Sequence, residues 1–259
     1  MTRTIVITGA SNGLGAALAY YFAAPHIQLG LMARNKTRLS QVSETCMKKG
    51  AITHLGIIDV TDTEAMQIWL NTLDQQHPID LLIANAGITH SIDHQGKPES
   101  LEDVKKLLDI NLLGVLNTIH PVLEKMLQRQ HGQIALISSL AAYRGMPVTP
   151  AYSASKAALK SYGEALRPLL AQHNIKINII CPGFIKSDMS DSFPGKRPFI
   201  MNSNQAAQLI AQGLDKNKAT IAFPWLLHIG ILILSVLPFP IASFFMGLSG
   251  YNKAQYPRS

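Results

Sequence analysis

At 259 residues, 47% hydrophobic and only 15% charged, the chain holds enough apolar material for one large α/β domain and is not an intrinsically disordered sequence. Lys and Arg outnumber Asp and Glu 23 to 16, a formal net charge of +7. The basic residues are scattered with no aromatic-interleaved stripe, so nucleic acid is excluded as a partner, leaving an anionic cofactor or an anionic lipid surface as readings of the charge. The two cysteines, Cys46 and Cys181, stand far apart without ligand spacing. They imply neither a disulfide framework nor a metal site, and they fit a reducing, cytoplasmic compartment.

Strand and helix signals alternate along the chain. Residues 4–7 form a short β-branched run that begins too close to Met1 for a cleavable leader to be expected. Glycines follow, then an apolar-periodic helix over 14–22. Strands are predicted over 28–32, 53–58, 79–83, 133–138 and 176–180. Helices are predicted over 38–48, 63–73, 101–126 and 153–172, with Thr61 or Asp62 placed to cap the second of these four. Repeated strand–helix–strand units with apolar strands imply a parallel sheet covered on both faces, the doubly wound, Rossmann-type α/β architecture. It is assigned to residues 1–218. Residues 219–259 are read as an apolar C-terminal extension.

Three local patterns carry chemistry. Thr8-Gly9-Ala10-Ser11-Asn12-Gly13-Leu14-Gly15 follows the first strand and opens the first helix. Glycines there permit a tight turn and the approach of a pyrophosphate to free N–H groups at the helix N-terminus. Tyr152 and Lys156 stand four apart, on one face of a predicted helix. A nearby cation stabilises phenolate and brings a phenol closer to working pH as an acid/base. Ser139 follows the fifth strand, at the strand edge where open α/β sheets bind ligands. Ser138 is its immediate neighbour and an alternative for the same role.

Taken in order, these elements resemble the short-chain dehydrogenase/reductase family over residues 4–190. Asp59-Val60, Asn85-Ala86-Gly87, Asn111 and Pro182-Gly183 complete the pattern. The resemblance implies an NADP(H)-dependent oxidoreductase acting on a small carbonyl or alcohol substrate. Tyr152 would be the general acid/base, and Ser139 would bind the substrate oxygen. Lys156 would bind the nicotinamide ribose and lower the tyrosine pKa, and Asn111 would hold a water that relays protons to Lys156. Gly9, Ser11, Asn12, Gly13, Leu14 and Gly15 would hold the pyrophosphate. Asp59 and Val60 would meet the adenine, with Asn85, Ala86 and Gly87 as the floor. Pro182, Gly183 and Ile185 would border the nicotinamide, and Ser187 would bind its carboxamide. Two departures are Ala84, where the family often has Asn, and Ser187, where it commonly has Thr. A homo-oligomer is expected. A non-catalytic NADP(H)-binding regulator or membrane scaffold is the alternative, opposed by the intact Asn111, Ser139, Tyr152 and Lys156.

Cofactor preference is read at the end of the second strand, Leu31-Met32-Ala33-Arg34-Asn35-Lys36. No carboxylate is present there to hold ribose hydroxyls, and the Arg34 guanidinium matches a 2′-phosphate. The tail poses a separate question. Residues 221–251 contain no Asp, Glu, Lys or Arg. Pro238 and Pro240 interrupt the run, Lys216, Lys218, Lys253 and Arg258 flank it, and Trp225 and Tyr251 stand at its ends. One or two apolar helical pieces over 225–248 are expected to meet a membrane surface, a second subunit or the protein's own substrate pocket. In the membrane case the chain would sit on the inner face of the bilayer.

Overall fold

Each of the six expected apolar runs becomes a strand, and a seventh joins them. In the computed structural model, which describes residues 2–92, 96–193 and 197–248, the strands are β1 (Arg3–Thr8), β2 (Ile27–Met32), β3 (Ile52–Gly56), β4 (Ile79–Ala84), β5 (Gly132–Ile137), β6 (Ile175–Pro182) and β7 (Thr220–Phe223). All pair in parallel in the order β3-β2-β1-β4-β5-β6-β7. Helices cover both faces because the strands are apolar on both. Ile5 and Ile7 pack with α1 (Gly13–Phe22), α2 (Lys36–Lys48) and α8 (Ser203–Asp215). Val6, one residue out of phase, packs with α3 (Thr63–Gln76), α5 (Gly114–Arg129) and α6 (Pro150–Ala171). The fold is thus the expected doubly wound sheet in a single domain.

Element boundaries shift for local reasons. Asp62, not Thr61, caps α3 by accepting the amide of Ala65 at 3.0 Å, while Thr61 donates its hydroxyl to Asp59 at 2.9 Å. Helix α6 begins at Pro150, whose ring favours a first helical turn, so Tyr152 sits in that turn. The single long helix expected over 101–126 is three pieces: α4 (Leu101–Leu108), a π-helical turn over Asp109–Leu113, and α5.

The tail differs most from expectation. Strand β7 carries the sheet past residue 218, so the extension starts after Phe223 rather than at 219. It consists of α9 (Trp225–Val236) and α10 (Phe239–Leu248), following the four-residue α7 (Asp188–Asp191) and α8 in the chain. Only Pro238 breaks the helix. Leu237 before it is extended (φ −75°, ψ 144°), as the residue preceding proline prefers. Pro240 falls in the first turn of α10, where its missing N–H has no partner to lose. Tyr251, Lys253, Arg258 and Lys196 lie outside the described residues.

At the end of the sheet remote from the strand C-termini, Arg129 closes α5 onto the start of β4. Its Nη1 donates to both carboxylate oxygens of Asp74 at 2.9 Å, and its Nη2 donates to the Ile79 carbonyl. Asp74, 7% exposed, also accepts the Ile79 amide at 2.9 Å. Removing one partner of such a pair strands a buried charge. Arg129→Met should cost about 3 kcal/mol in urea denaturation, and Asp74→Leu with Arg129→Met should cost less than that single change. A double variant less stable than Arg129→Met would refute this account.

Candidate active site

The crevice forms where the strand order reverses, between β1 and β4, and the side chains there close it at the bottom. Thr8 Oγ1 accepts the backbone amides of Asn85 and Ala86, both at 3.0 Å, and Asn85 Nδ2 donates to the carbonyls of Thr8 (2.9 Å) and Gly9 (3.3 Å). The glycines make that closeness feasible. Gly9 has φ +65°, and a Cβ on Gly15 would stand 2.2 Å from the Gly9 carbonyl oxygen. Asn12 makes no side-chain cap on α1. Its Nδ2 donates instead to Asp188 at 3.0 Å, leaving the helix N-terminus open to the crevice.

From this point a cavity of about 1100 Å³ runs across the C-terminal ends of the strands. Every residue expected to touch the cofactor borders it, from the Gly9–Gly15 loop through Arg34, Asp59, Val60 and Asn85–Gly87 to Pro182, Gly183, Ile185 and Ser187. Arg34 is mostly exposed and its Nη1 lies 3.3 Å from Asp59. Burial pushes the Asp59 pKa up, but hydrogen bonds from Thr61 and the charge of Arg34 outweigh it, and the net direction is down. Ser187 caps α7, its Oγ accepting the Ser190 amide at 3.2 Å and donating to the Ile185 carbonyl at 3.2 Å. That hydroxyl is engaged locally even as it faces the cavity.

Ser139, Tyr152 and Lys156 also line the cavity, and here the two neighbouring serines separate. Ser138 is 1% exposed and donates to the Lys156 carbonyl at 2.7 Å. It ties β5 to α6. Ser139 Oγ accepts the Ala141 amide at 3.1 Å, and the same hydroxyl pulls the Tyr152 pKa down. Lys156, 4% exposed, lies with Nζ 5.7 Å from the Tyr152 ring centroid and 2.9 Å from the Ile137 carbonyl.

The electrostatics correct one expectation. Lys156 was expected to draw the phenol pKa down. Burial raises it, against a downward pull from Ser139. Burial also lowers Lys156 to about 8. Both groups lose water on burial, which disfavours the charged form of each.

Asn111 is bound into the fold by its side chain. It is fully buried, sits in the π-helical turn, and does not line the cavity. Its Oδ1 accepts the Ile88 amide at 2.7 Å, and its Nδ2 donates to the Ile88 carbonyl at 2.8 Å and to Ser155 Oγ at 3.2 Å. The side chain fastens the segment after β4 and ties it to α6 through Ser155.

Sequence reading did not name Arg38 for the site, and it offered the pocket as one partner of the tail without saying which tail residues would reach it. Arg38 on α2 faces the cavity and lies 3.5 Å from Asp188; a second cation four residues after Arg34 was the available signal. Leu227, Gly230, Ile231 and Leu234 of α9 and Met246 of α10 form a wall. Their helical spacing was visible, but every neighbour is apolar too, so no face stood out. Among the described residues no His/Cys/Asp/Glu group could hold a metal ion.

Comparison with known proteins agrees with this geometry. The short chain dehydrogenase family model matches residues 3–197, and the chain belongs to that family. An uncharacterized oxidoreductase of Myxococcus xanthus is 32% identical over 240 residues, covering 92% of this chain and 94% of its own. An 11-beta-hydroxysteroid dehydrogenase-like protein of Arabidopsis thaliana is 32% identical over 91% of this chain and 78% of its own. Among solved structures, a short-chain dehydrogenase from Sphingobium yanoikuyae in complex with NADPH covers 99% of both chains, with a TM-score of 0.79 and 22% identity. One from Mycobacterium paratuberculosis bound to NAD covers 85% of this chain and 94% of its own, with a TM-score of 0.74 and 22% identity.

If Tyr152 moves the proton, Tyr152→Phe should lower kcat by about two to four orders of magnitude with cofactor affinity nearly unchanged. Wild-type carbonyl reduction should fall as pH rises through about 8, because neutral Lys156 no longer helps the phenol release its proton. A steady-state pH profile at saturating cofactor checks the second point, and a profile flat through that range contradicts it.

Proposed function

We propose that the protein transfers a hydride between NADP(H) and the carbonyl or alcohol carbon of a lipophilic small molecule. The observation that carries this reading is the Ser139–Tyr152–Lys156 constellation in one cavity with the open glycine loop. NADPH, when bound, supplies the hydride to the carbonyl carbon. Ser139 donates a hydrogen bond to the carbonyl oxygen and stabilises the negative charge that develops there. Tyr152 gives its phenolic proton to that oxygen, and the Lys156 ammonium stabilises the phenolate left behind until solvent restores the proton. Alcohol oxidation runs the same proton the other way. Asn111 holds the Ile88 backbone and so keeps the Gly87 segment against Lys156; a Cβ on Gly87 would stand 3.4 Å from Lys156 Nζ.

Preference for the phosphorylated cofactor rests on Arg34. The family's solved relatives hold either NAD or NADPH, so preference is a local matter. No carboxylate follows β2, and two guanidinium groups, Arg34 and Arg38, border this end of the cavity. A 2′-phosphate would exchange a weak exposed pairing of Arg34 with Asp59 for charge-assisted hydrogen bonds.

The outer face of α9 and α10 supports a peripheral contact with an anionic bilayer. Leu226, Ile229, Ile233 and Val236 of α9 and Phe239 and Phe244 of α10 are each 47% to 81% exposed, an apolar surface larger than soluble proteins commonly leave open. Residues 216–259 contain four Lys or Arg and no Asp or Glu, a charge balance suited to acidic headgroups. No helix of the described residues is long and apolar enough to cross a membrane, so the contact is with the surface.

Two measurements test these readings. Arg34→Ala should weaken NADPH by about 10- to 100-fold and NADH by less than about twofold in fluorescence titration; equal losses would remove the phosphate assignment. Wild-type protein should float with phosphatidylglycerol vesicles, and Leu226→Glu with Ile233→Glu should leave it in the soluble fraction. If the wild type ignores vesicles and the same pair of changes lowers its oligomeric mass instead, the face is a subunit interface and the membrane reading is wrong.

A further inference from the structure

The two tail helices serve the cavity and the surface at once. On α9, Leu227, Ile231 and Leu234 point into the catalytic cavity. Leu226, Ile229 and Ile233, interleaved with them, are exposed on the other side. The cavity is therefore separated from the outer apolar face by one helix, about 10 Å of protein. Gly230 borders the cavity, and a Cβ placed there would meet nothing within 4 Å. Gly230 carries no side chain to fill the space beside it.

Part of the cavity lining is apolar, with Met146, Phe184, Leu227, Ile231, Leu234 and Met246 among its residues. A polar ligand would give up its water there without compensating hydrogen bonds, at considerable cost. An apolar body with a single carbonyl suits it, because Ser139 and Tyr152 satisfy that oxygen at one end. The helix pair is held as a wall, not as a loose appendage. Arg144 Nη1 donates to the carbonyls of Leu234 (3.2 Å) and Leu237 (3.3 Å) at the end of α9, and its guanidinium lies 5.7 Å from the Phe239 ring at the start of α10. Near the other end of α9, His228 Nε2 lies 3.3 Å from Tyr143 Oη. Tyr143 and Arg144 directly follow the turn over Leu140–Ala142 that Ser139 caps.

Resting on the hydride-transfer reading above, we propose that the substrate is a carbonyl compound with a long apolar body, dissolved in the bilayer, which passes from the lipid face beside Gly230 into the cavity. Partition into lipid raises the local concentration of such a molecule far above its aqueous level. A helix with one side on the lipid and the other on the catalytic cavity is the shortest path between the two. The carbonyl end arrives at Ser139 and Tyr152, and the chain stays along Leu227, Ile231 and Leu234. The carbonyl carbon gains the hydride, the oxygen gains the Tyr152 proton, and NADPH is oxidised.

The experiment uses full-length protein, NADPH and a methyl-ketone series from butan-2-one to tetradecan-2-one, followed by NADPH absorbance. The value of kcat/KM should rise about threefold per methylene until the wall is filled. With vesicles of phosphatidylcholine and phosphatidylglycerol, the tetradecan-2-one rate should follow its mole fraction in the lipid, not its bulk amount, while the butan-2-one rate is unaffected. Ile229→Glu with Ile233→Glu should abolish the lipid dependence and leave butan-2-one turnover at the wild-type level. Gly230→Phe should lower the ratio of tetradecan-2-one to butan-2-one turnover by about tenfold. A flat or falling chain-length profile overturns the proposal, and so does a long-chain rate set by bulk concentration. If no ketone is reduced, calorimetric titration of tetradecan-2-one into the NADPH-loaded protein decides. Uptake that Gly230→Phe abolishes keeps the proposal and removes the catalytic reading. The absence of uptake overturns the proposal.

Discussion

The hydrogen bonds between Thr8 and the Asn85–Ala86 backbone are the constraint on which the site depends. β1 and β4 are adjacent in the sheet, but the chain leaves β1 toward α1 on one face and β4 toward the π-helical turn and α5 on the other. A crevice must open between the departing segments. Thr8, 1% exposed, accepts two amides there, and Asn85 returns two donors to the first strand. Without them four backbone polar groups at the sheet edge would have no partner in a place that burial makes expensive. The glycine loop follows from the same closeness, since a side chain on Gly9 or Gly15 would collide with the groups that make the clasp.

The second half of the site is built from burial rather than from turns. α6 lies against β5 and β6, and its Lys156 passes through the contact to reach the Ile137 carbonyl. A lysine so placed keeps its charge poorly, which is the cause of its lowered pKa. The same packing brings Tyr152 to Ser139. Asn111 contributes at a distance by fixing the Ile88 segment beneath them.

The tail completes the cavity and gives the molecule its unusual surface. Its helices lack charge on every side, yet they do two different jobs according to the side considered. Leu227, Ile231 and Leu234 face the cavity and Ala242 is fully buried, whereas Val236 and Phe239 at the helix junction are 81% and 73% exposed. The Arg144 contacts fix that junction to the loop that also carries Ser139. The tail and the turn after Ser139 are thus tied together through Arg144.

The doubly wound sheet was legible because its signals are local: β-branched runs for strands, glycines after β1, and helix caps between them. The positions bordering the cofactor end of the cavity were legible for the same reason, since they lie at strand ends whose order the chain dictates. Boundaries and partners were not. Strand β7 has a short apolar pattern that only its pairing with β6 distinguishes from the tail beside it. Asn111 could be placed by resemblance, but its hydrogen bonds go to a segment more than twenty residues away. The direction of the Tyr152 pKa depends on how much water the packed site excludes, which no spacing reveals. α9 is the clearest case. The sequence by itself determined that this stretch is apolar, helical and broken at Pro238. Tertiary structure alone decided which stripe became the cavity wall and which became open surface, because a helix that is apolar all round carries no mark of its inner face.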